Sequence, residues 1–276
     1  MTSRKYRYDA YQYCTHHGRI FHPHLCCFSG WTTNGATAGF AGQYNGAAIN
    51  SNSIVEACCN DISVTSGSVA AANSARWGGE TATIYADVDQ KNYADVNATS
   101  SVAIDSGTNV TSAAAAGGNL AEIQNKWGYA QMNGYQENNN AINASSVVQL
   151  GDWGGYAVSG ANSIGNSALV SNLGSDVTMS MSQYNNGDVN SFASLQGNSS
   201  RGGVGAVSSM ATGNAMTGYA CASCGEGSVK VEGYANQINN GAVNAGTFVN
   251  VGTAGPISAS ATAIGNSATF IAQRSH

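Results

Sequence analysis

The 276-residue sequence has few charged residues, little proline and no long hydrophobic run. Asp, Glu, Lys and Arg make up 9% of the chain, against about 25% in an average soluble domain. Only 10 residues are Lys or Arg, which argues against nucleic-acid binding because basic contacts to phosphate dominate that affinity. No apolar stretch reaches about 18 residues, so we expect no membrane-spanning helix.

The scarcity of charge also bears on order. A chain with few bulky apolar residues is disordered when its net charge is high, but the formal net charge here is only -5. With 35 Gly and only 2 Pro, the composition is not that of a proline-rich linker. The alternative is a fold that depends on regular backbone ladders and stacked small or amide side chains, which needs few large apolar residues.

Two motifs recur through most of the chain in a nearly constant register. The pattern Gln-x-Asn-x-x-x-(Val/Ile)-Asn occurs five times, and its copies start at Gln43, Gln90, Gln136, Gln183 and Gln237. A second motif of the Gly-Asn-Ser-Ala type follows each copy at almost the same distance, with its Asn at Asn73, Asn119, Asn166, Asn214 and Asn266. Internal repetition at a fixed period is typical of solenoid architectures.

The repeated amides are the candidate site residues, and we expect them to form ladders along the axis of the solenoid. In chain order they are Gln43, Asn45, Asn50, Gln90, Asn92, Asn97, Gln136, Asn138, Asn143, Gln183, Asn185, Asn190, Gln237, Asn239 and Asn244. Whether the last Asn of each copy faces inward or lies at a bend stays open at this point.

Within each unit, Val, Ile or Leu occupies the sixth and the twelfth position after the Gln, with small residues between them at period two. This alternation is typical of a strand with one buried face, and the density of Gly, Asn, Ser and Thr disfavours helix. We therefore predict an all-β protein, a β-solenoid of five units of about 47 residues, each making two coils. We expect residues 1–38 to be an irregular or cap-like segment and residues 39–276 to be the solenoid.

The last interval between units is longer than the others and contains Cys221-Ala-Ser-Cys224, which we interpret as an insertion into a turn. A local disulfide between Cys221 and Cys224 is the favoured reading, with a redox motif as the alternative. Residues 1–38 contain His and Cys in no zinc-binding spacing, so we predict no metal site and no cofactor. No catalytic constellation recurs among the repeats, and we expect no enzyme activity.

Aromatic residues cluster in the first four units, and exposed rings there are able to stack on sugar rings or contact a partner, or else to pack the corners of the coil. Both readings stay open. The residues concerned are Trp31, Trp77, Trp127, Trp153, Tyr85, Tyr93, Tyr129, Tyr135, Tyr156 and Tyr184.

The Gln-x-Asn-x-Gly-x-Val-Asn-Ala type of motif, as at 237–245, resembles the curlin repeat. The long unit, the Ala-Ile-Gly-Asn-Ser-Ala-Thr motif and the Cys-x-x-Cys insertion make residues 39 to 272 more similar to the holdfast anchor protein D family of stalked alphaproteobacteria. That resemblance implies a non-catalytic adhesion protein that tethers an adhesive polysaccharide to the outer membrane. Its expected partners are other surface anchor proteins, polysaccharide, or a second copy joined end to end.

The resemblance also implies a location at the cell surface, as an outer membrane-associated or secreted protein. The first residues do not form a good export signal, because the apolar stretch near Ile20 is broken by His22, Pro23 and His24. Three alternative functions stay open. The chain would be a curlin-like amyloid fibre subunit, a phage-type β-helical tail fibre, or a polysaccharide-processing β-helix.

Overall fold

A computed structural model describes residues 28–58, 62–222 and 228–274, and these residues form twelve strands. The strands are β1 (Phe28–Asn45), β2 (Ile49–Ala57), β3 (Ile62–Asn92), β4 (Val96–Lys126), β5 (Ala130–Asn138), β6 (Ile142–Leu173), β7 (Val177–Asn185), β8 (Val189–Ser199), β9 (Val204–Cys221), β10 (Val231–Asn239), β11 (Val243–Thr253) and β12 (Ile257–Gln273). Every pairing between them is parallel. The expected all-β class with a parallel-stranded solenoid is confirmed.

The register of the pairing sets the size of one coil. Gln90 pairs with Gln43 on one side and with Gln136 on the other, and all paired residues are 45 to 54 positions apart. Two coils per unit would pair residues about 23 apart, and no such pairing occurs in the described part of the chain. The expectation of two coils per unit is therefore wrong, because like residues stack on like and the two halves of a unit differ.

Each coil has three sides, which we name A, B and C. Side A consists of residues 37–45 of β1, residues 84–92 of β3, β5, β7 and β10. Side B consists of β2, residues 96–104 of β4, residues 142–150 of β6, β8 and β11. Side C consists of the remaining parts of β1, β3, β4 and β6 with β9 and β12.

Alternation of side chains builds the core. In β7, Val177, Met179 and Met181 are buried, and the intervening Thr178 and Ser180 are only partly covered. One apolar cluster lies between sides A and C and includes these three residues. A second cluster, which includes Val148 and Leu195, lies between sides B and C.

The stacked strands extend further toward the N-terminus than the expected boundary at residue 39. β1 begins at Phe28 and pairs with β3 from that residue onward. Residues 1–27, with their His residues and with Cys26 and Cys27, lie outside the described part of the chain.

Candidate functional site

The Gln residues that head the repeats form a hydrogen-bonded column through side A. Each carboxamide donates to the Gln of the preceding coil, from Gln90 to Gln43 through Gln237 to Gln183, at 2.6 to 2.8 Å. The second hydrogen of each side-chain amide is donated across the core to a backbone carbonyl on side C. Gln136 Nε2, for example, donates to the carbonyl oxygen of Ser167 at 2.9 Å. The column therefore ties side A to side C at every step.

Two further Asn columns lie beside the Gln column. The Asn two residues after each Gln donates to its counterpart in the next coil at 2.7 to 2.8 Å, as from Asn92 to Asn138. The Asn of the second motif does the same at 2.7 to 2.8 Å, as from Asn119 to Asn166. Gln90, Asn92 and Asn119 are fully buried, so these columns have a structural role and are closed to a ligand.

The last Asn of each Gln-containing motif points outward, which settles the orientation that the sequence left open. These residues form an outer column on side B, as when Asn143 Nδ2 donates to Asn97 Oδ1 at 2.8 Å. The members of this column are partly or fully exposed: Asn50, Asn97, Asn143, Asn190 and Asn244.

The aromatic residues divide into core residues and surface residues. Trp77 and Trp153 are each 1% exposed and belong to the core, so packing explains them. Trp127 is half exposed at the corner between sides C and A, where its backbone adopts a positive φ of 65°. The side chain of Trp31 is outside the described set.

Most of the remaining tyrosines lie on one surface. We name the outward side chains of side A, together with the residue immediately before each of β5, β7 and β10 at its edge, the tyrosine face. Of the tyrosines among the described residues, six lie on this surface: Tyr44, Tyr85, Tyr129, Tyr135, Tyr184 and Tyr234. Tyr44 and Tyr234 are not among the candidate aromatic residues identified from the sequence. Their place on this face is evident only once the register of the strands is known.

The rings on this face meet in pairs across neighbouring coils. Tyr135 and Tyr184 have ring centroids 5.4 Å apart, and Tyr85 and Tyr129 have centroids 5.9 Å apart. Tyr44 lies 5.2 Å from Tyr93, which is in the adjoining turn between sides A and B. Tilted pairs with centroid separations of this size are a favourable arrangement of aromatic rings.

Carboxylates outnumber amines on the same face. Five acidic residues and two lysines occupy the outward positions of side A and its edge. The acidic residues are Asp87, Asp89, Glu137, Asp176 and Glu232, and the lysines are Lys91 and Lys230. Lys91 Nζ lies 3.2 Å from Asp89 Oδ1 and 5.6 Å from the centre of the Tyr135 ring. Lys230 is paired with Glu232.

Glu137 lies within a group of hydrogen-bond donors. Tyr135 Oη donates to it at 3.0 Å, Tyr93 Oη at 3.4 Å and Asn139 Nδ2 at 2.8 Å. Burial, followed by the hydrogen bond to Glu137, raises the pKa of Tyr135 above its ordinary value of 10.0. The pKa of Tyr93 is also raised, by burial and then by the charge of Glu137. Both phenols thus remain protonated donors to this carboxylate.

Cys221 is the last residue of β9, and β10 begins at Val231. Cys224 lies outside the described residues, so the disulfide between Cys221 and Cys224 stays a prediction.

The last coil among the described residues consists of strands β10, β11 and β12. Strands β10, β11 and β12 each pair with only one neighbour among the described strands. Their inward residues are less covered than those one coil earlier: Val189 is fully buried, whereas Val243 is only partly buried. No Asp, Glu, Lys, Arg or His occurs from Gly233 to Gln273. We name these three strands the C-terminal edge.

Comparisons with known proteins identify the family. The described residues include no helix that could span a membrane. A search of curated proteins and a search of solved structures each returned no match. The profile of the family described as Holdfast attachment protein D matches residues 29–188, which is more than half of the chain and includes most of the tyrosine face. The chain therefore belongs to the Holdfast attachment protein D family.

Proposed function

We propose that this protein is a non-catalytic anchor that tethers an adhesive polysaccharide to the outer membrane at the cell surface. The observation that carries the proposal is the family match over residues 29–188. In this proposal the five sequence units are the successive coils of one rod. Rigid stacking suits such a role, because the inner amide columns resist separation of the coils when the rod is pulled.

The C-terminal edge supports the second part of the proposal, which is docking of the coil end on another anchor protein or on a second copy. In natural proteins, charged residues on an edge strand hinder the pairing of a further strand. The three strands here have no charged residue after Glu232. The amides at this end also have unused capacity. Gln237 donates both hydrogens, to Gln183 and to Ser267. Its side-chain oxygen has no donor among the described residues, whereas the oxygen of Gln183 accepts from Gln237.

A chain with the same Gln and Asn register would extend each column at this edge. Asn239 donates one hydrogen of its side-chain amide to the carbonyl of Gly241, and the other hydrogen has no acceptor among the described residues. An added coil would accept it, as Asn239 itself accepts from Asn185 at 2.7 Å. The same edge favours one alternative, a curlin-like fibre subunit that adds copies end to end.

The anchoring function is tested by deleting the gene in a holdfast-forming strain. We expect cells to synthesise the adhesive and then lose it to the medium, and a plasmid copy to restore attachment. Lectin or dye staining of washed surfaces separates shed adhesive from absent adhesive. Deletion cells that attach and retain adhesive like the parent would show that the protein is no anchor.

A further inference from the structure

We propose that the tyrosine face binds a glycan that carries free amino groups. This inference rests on the proposed function and deepens it, because it assigns the polysaccharide contact to one surface and names the chemistry of the ligand. The chain's own arrangement of rings, carboxylates and lysines on that surface is the observation from which it follows.

The rings supply the first part of the argument. Tyr44, Tyr85 and Tyr234 are 52%, 44% and 63% exposed, so their rings are accessible to a ligand. Each presents an apolar ring for stacking and a hydroxyl for hydrogen bonding, and it loses little side-chain entropy on binding. Sugars expose both kinds of group, so this combination suits a carbohydrate.

The charges select the kind of glycan. Five carboxylates against two ammonium groups give the face a negative potential, which repels uronic acid, sulfated or phosphorylated polymers. Neither Asp87 nor Glu137 has an ion-pair partner among the described residues. Glu137 accepts hydrogen bonds from neutral donors and pairs in register with Lys91, whose ammonium contacts Asp89 instead. The negative charge of both carboxylates is therefore unpaired and attracts a cationic group, and Asp87 is the more accessible of the two.

The chain itself shows how an amine sits on such a surface. The Lys91 ammonium lies between the Asp89 carboxylate and the Tyr135 ring. At the corner beside the face, Lys126 Nζ lies 3.4 Å from Glu80 Oε1 and 5.9 Å from the Trp127 ring. A ring with an adjacent carboxylate is a favourable environment for an ammonium group. The amines of a glycan would find the same pair of groups at Asp87 and Glu137.

The geometry of the solenoid fits a polymer. Adjacent strands of a sheet are about 4.8 Å apart, so polar and aromatic groups recur on side A at short, regular intervals along the axis. A long glycan would contact several coils at once, and weak contacts would then add up through multivalency.

Binding is measured with the full-length purified protein and three soluble oligosaccharides: chitosan oligomers with free amines, the matching N-acetylated chitin oligomers, and anionic alginate oligomers. We expect chitosan oligomers to bind at least about tenfold more tightly than chitin oligomers, with a salt-dependent affinity, and alginate to show no binding. Equal affinity for the chitin oligomers would refute the role of the amines. Polylysine that displaces chitosan at lower concentration would point to a basic protein instead.

Matched variants locate the contact. Asp87→Asn with Glu137→Gln should weaken chitosan binding about tenfold, whereas Glu56→Gln with Asp105→Asn removes the same charge away from side A and should change nothing. Tyr85→Ala should weaken binding, and Tyr156→Ala should not, although Tyr156 is 46% exposed, much as Tyr85 is. Equal effects of face and control variants would overturn the assignment of the face.

The two proposals fail in different ways. If the wild-type protein binds none of the oligosaccharides while deletion of the gene still sheds the adhesive, this inference is wrong and anchoring stands. If deletion cells keep their adhesive, the anchoring function itself is wrong, whatever the binding measurements show.

Discussion

The environment of an asparagine side chain decides how much it contributes to stability. Asn119 is fully buried, accepts from Asn73, and donates to Asn166 at 2.7 Å and to the Glu137 carbonyl at 2.8 Å. Asn97 makes only two amide contacts in the outer column, to Asn50 and from Asn143, at 2.9 and 2.8 Å. Because Asn119 is buried, water cannot replace a hydrogen-bond partner that its neighbours lose when it is substituted.

Replacing Asn119 by Ala should therefore destabilise the protein by about 3 kcal/mol or more, since each buried partner left unsatisfied costs about 1–3 kcal/mol. Asn97→Ala should cost less than about 1 kcal/mol, because its partners remain accessible to water. Thermal unfolding followed by circular dichroism compares the two. Similar losses for both variants would contradict the distinction between inner and outer columns.

The phenol of Tyr135 gives a second prediction. Its folded pKa is raised above 10.0 by burial and by its hydrogen bond to Glu137, so the folded state holds this proton longer than the unfolded state does. The resulting stabilisation is complete below pH 10 and is lost as the pH rises through the folded pKa. Spectrophotometric titration should show a late phenolate component that Tyr135→Phe removes. A titration of the variant with its late component intact would rule out this assignment.

At the scale of the strand, the glycine of the second motif makes room for the facing amide column. A Cβ at Gly165 would lie 2.5 Å from Asn185 Oδ1 and 2.6 Å from the Gly213 carbonyl oxygen. A Cβ at Gly118 would meet the Gly165 carbonyl oxygen at 2.4 Å. The pairing of Gly with Asn in this motif therefore reflects close approach of side C to the turn between sides A and B.

Gly165→Ala should lower the melting temperature by several degrees, because backbone and a buried amide must shift to admit the methyl group. Gly160 lies on the same strand, and a Cβ there would meet only Ser208 Oγ at an ordinary 3.6 Å. Gly160→Ala should thus be neutral or slightly stabilising. If both variants unfold at the same temperature as the wild type, the steric explanation fails.

The repeat register predicted the strand class and the stacking of Gln43 on Gln90, because identical residues at a fixed period imply identical environments. It did not predict one coil per unit. Val96 on side B and Val110 on side C both face inward at similar spacing, so the two halves of a unit look like separate coils until their pairing is known. The burial of Trp77 and the tyrosine face likewise depend on which strand faces outward at each corner.

At the scale of the whole molecule, the rod has unequal surfaces. Side A combines tyrosines with carboxylates, and side B presents the outer Asn column. Each strand of the C-terminal edge pairs with one neighbour among the described strands, and none has a charged residue after Glu232. The proposed ligand face and the proposed partner edge share only strand β10, whereas β11 and β12 lie outside side A. Changes on β11 or β12 should therefore leave binding to the tyrosine face intact.

The C-terminal edge gives the last prediction, which concerns association through the coil end. Ala261 faces inward, in register with Ser209, and Thr262 faces outward, in register with Met210. A lysine that points inward on an edge strand blocks the addition of another strand, because pairing would bury its charge. Ala261→Lys should therefore abolish concentration-dependent association in analytical ultracentrifugation, and Thr262→Lys should retain it.

The two lysine variants have the same net charge and lie one residue apart, so a difference between them reports the direction of the side chain rather than general repulsion. Both positions are exposed in the single chain, and neither variant should alter the circular dichroism spectrum. A wild-type protein that stays monomeric at high concentration would exclude self-association and leave a different surface protein as the partner of the edge. If cells that express Ala261→Lys then lose attachment, while cells that express Thr262→Lys keep it, the C-terminal edge is the contact with that partner.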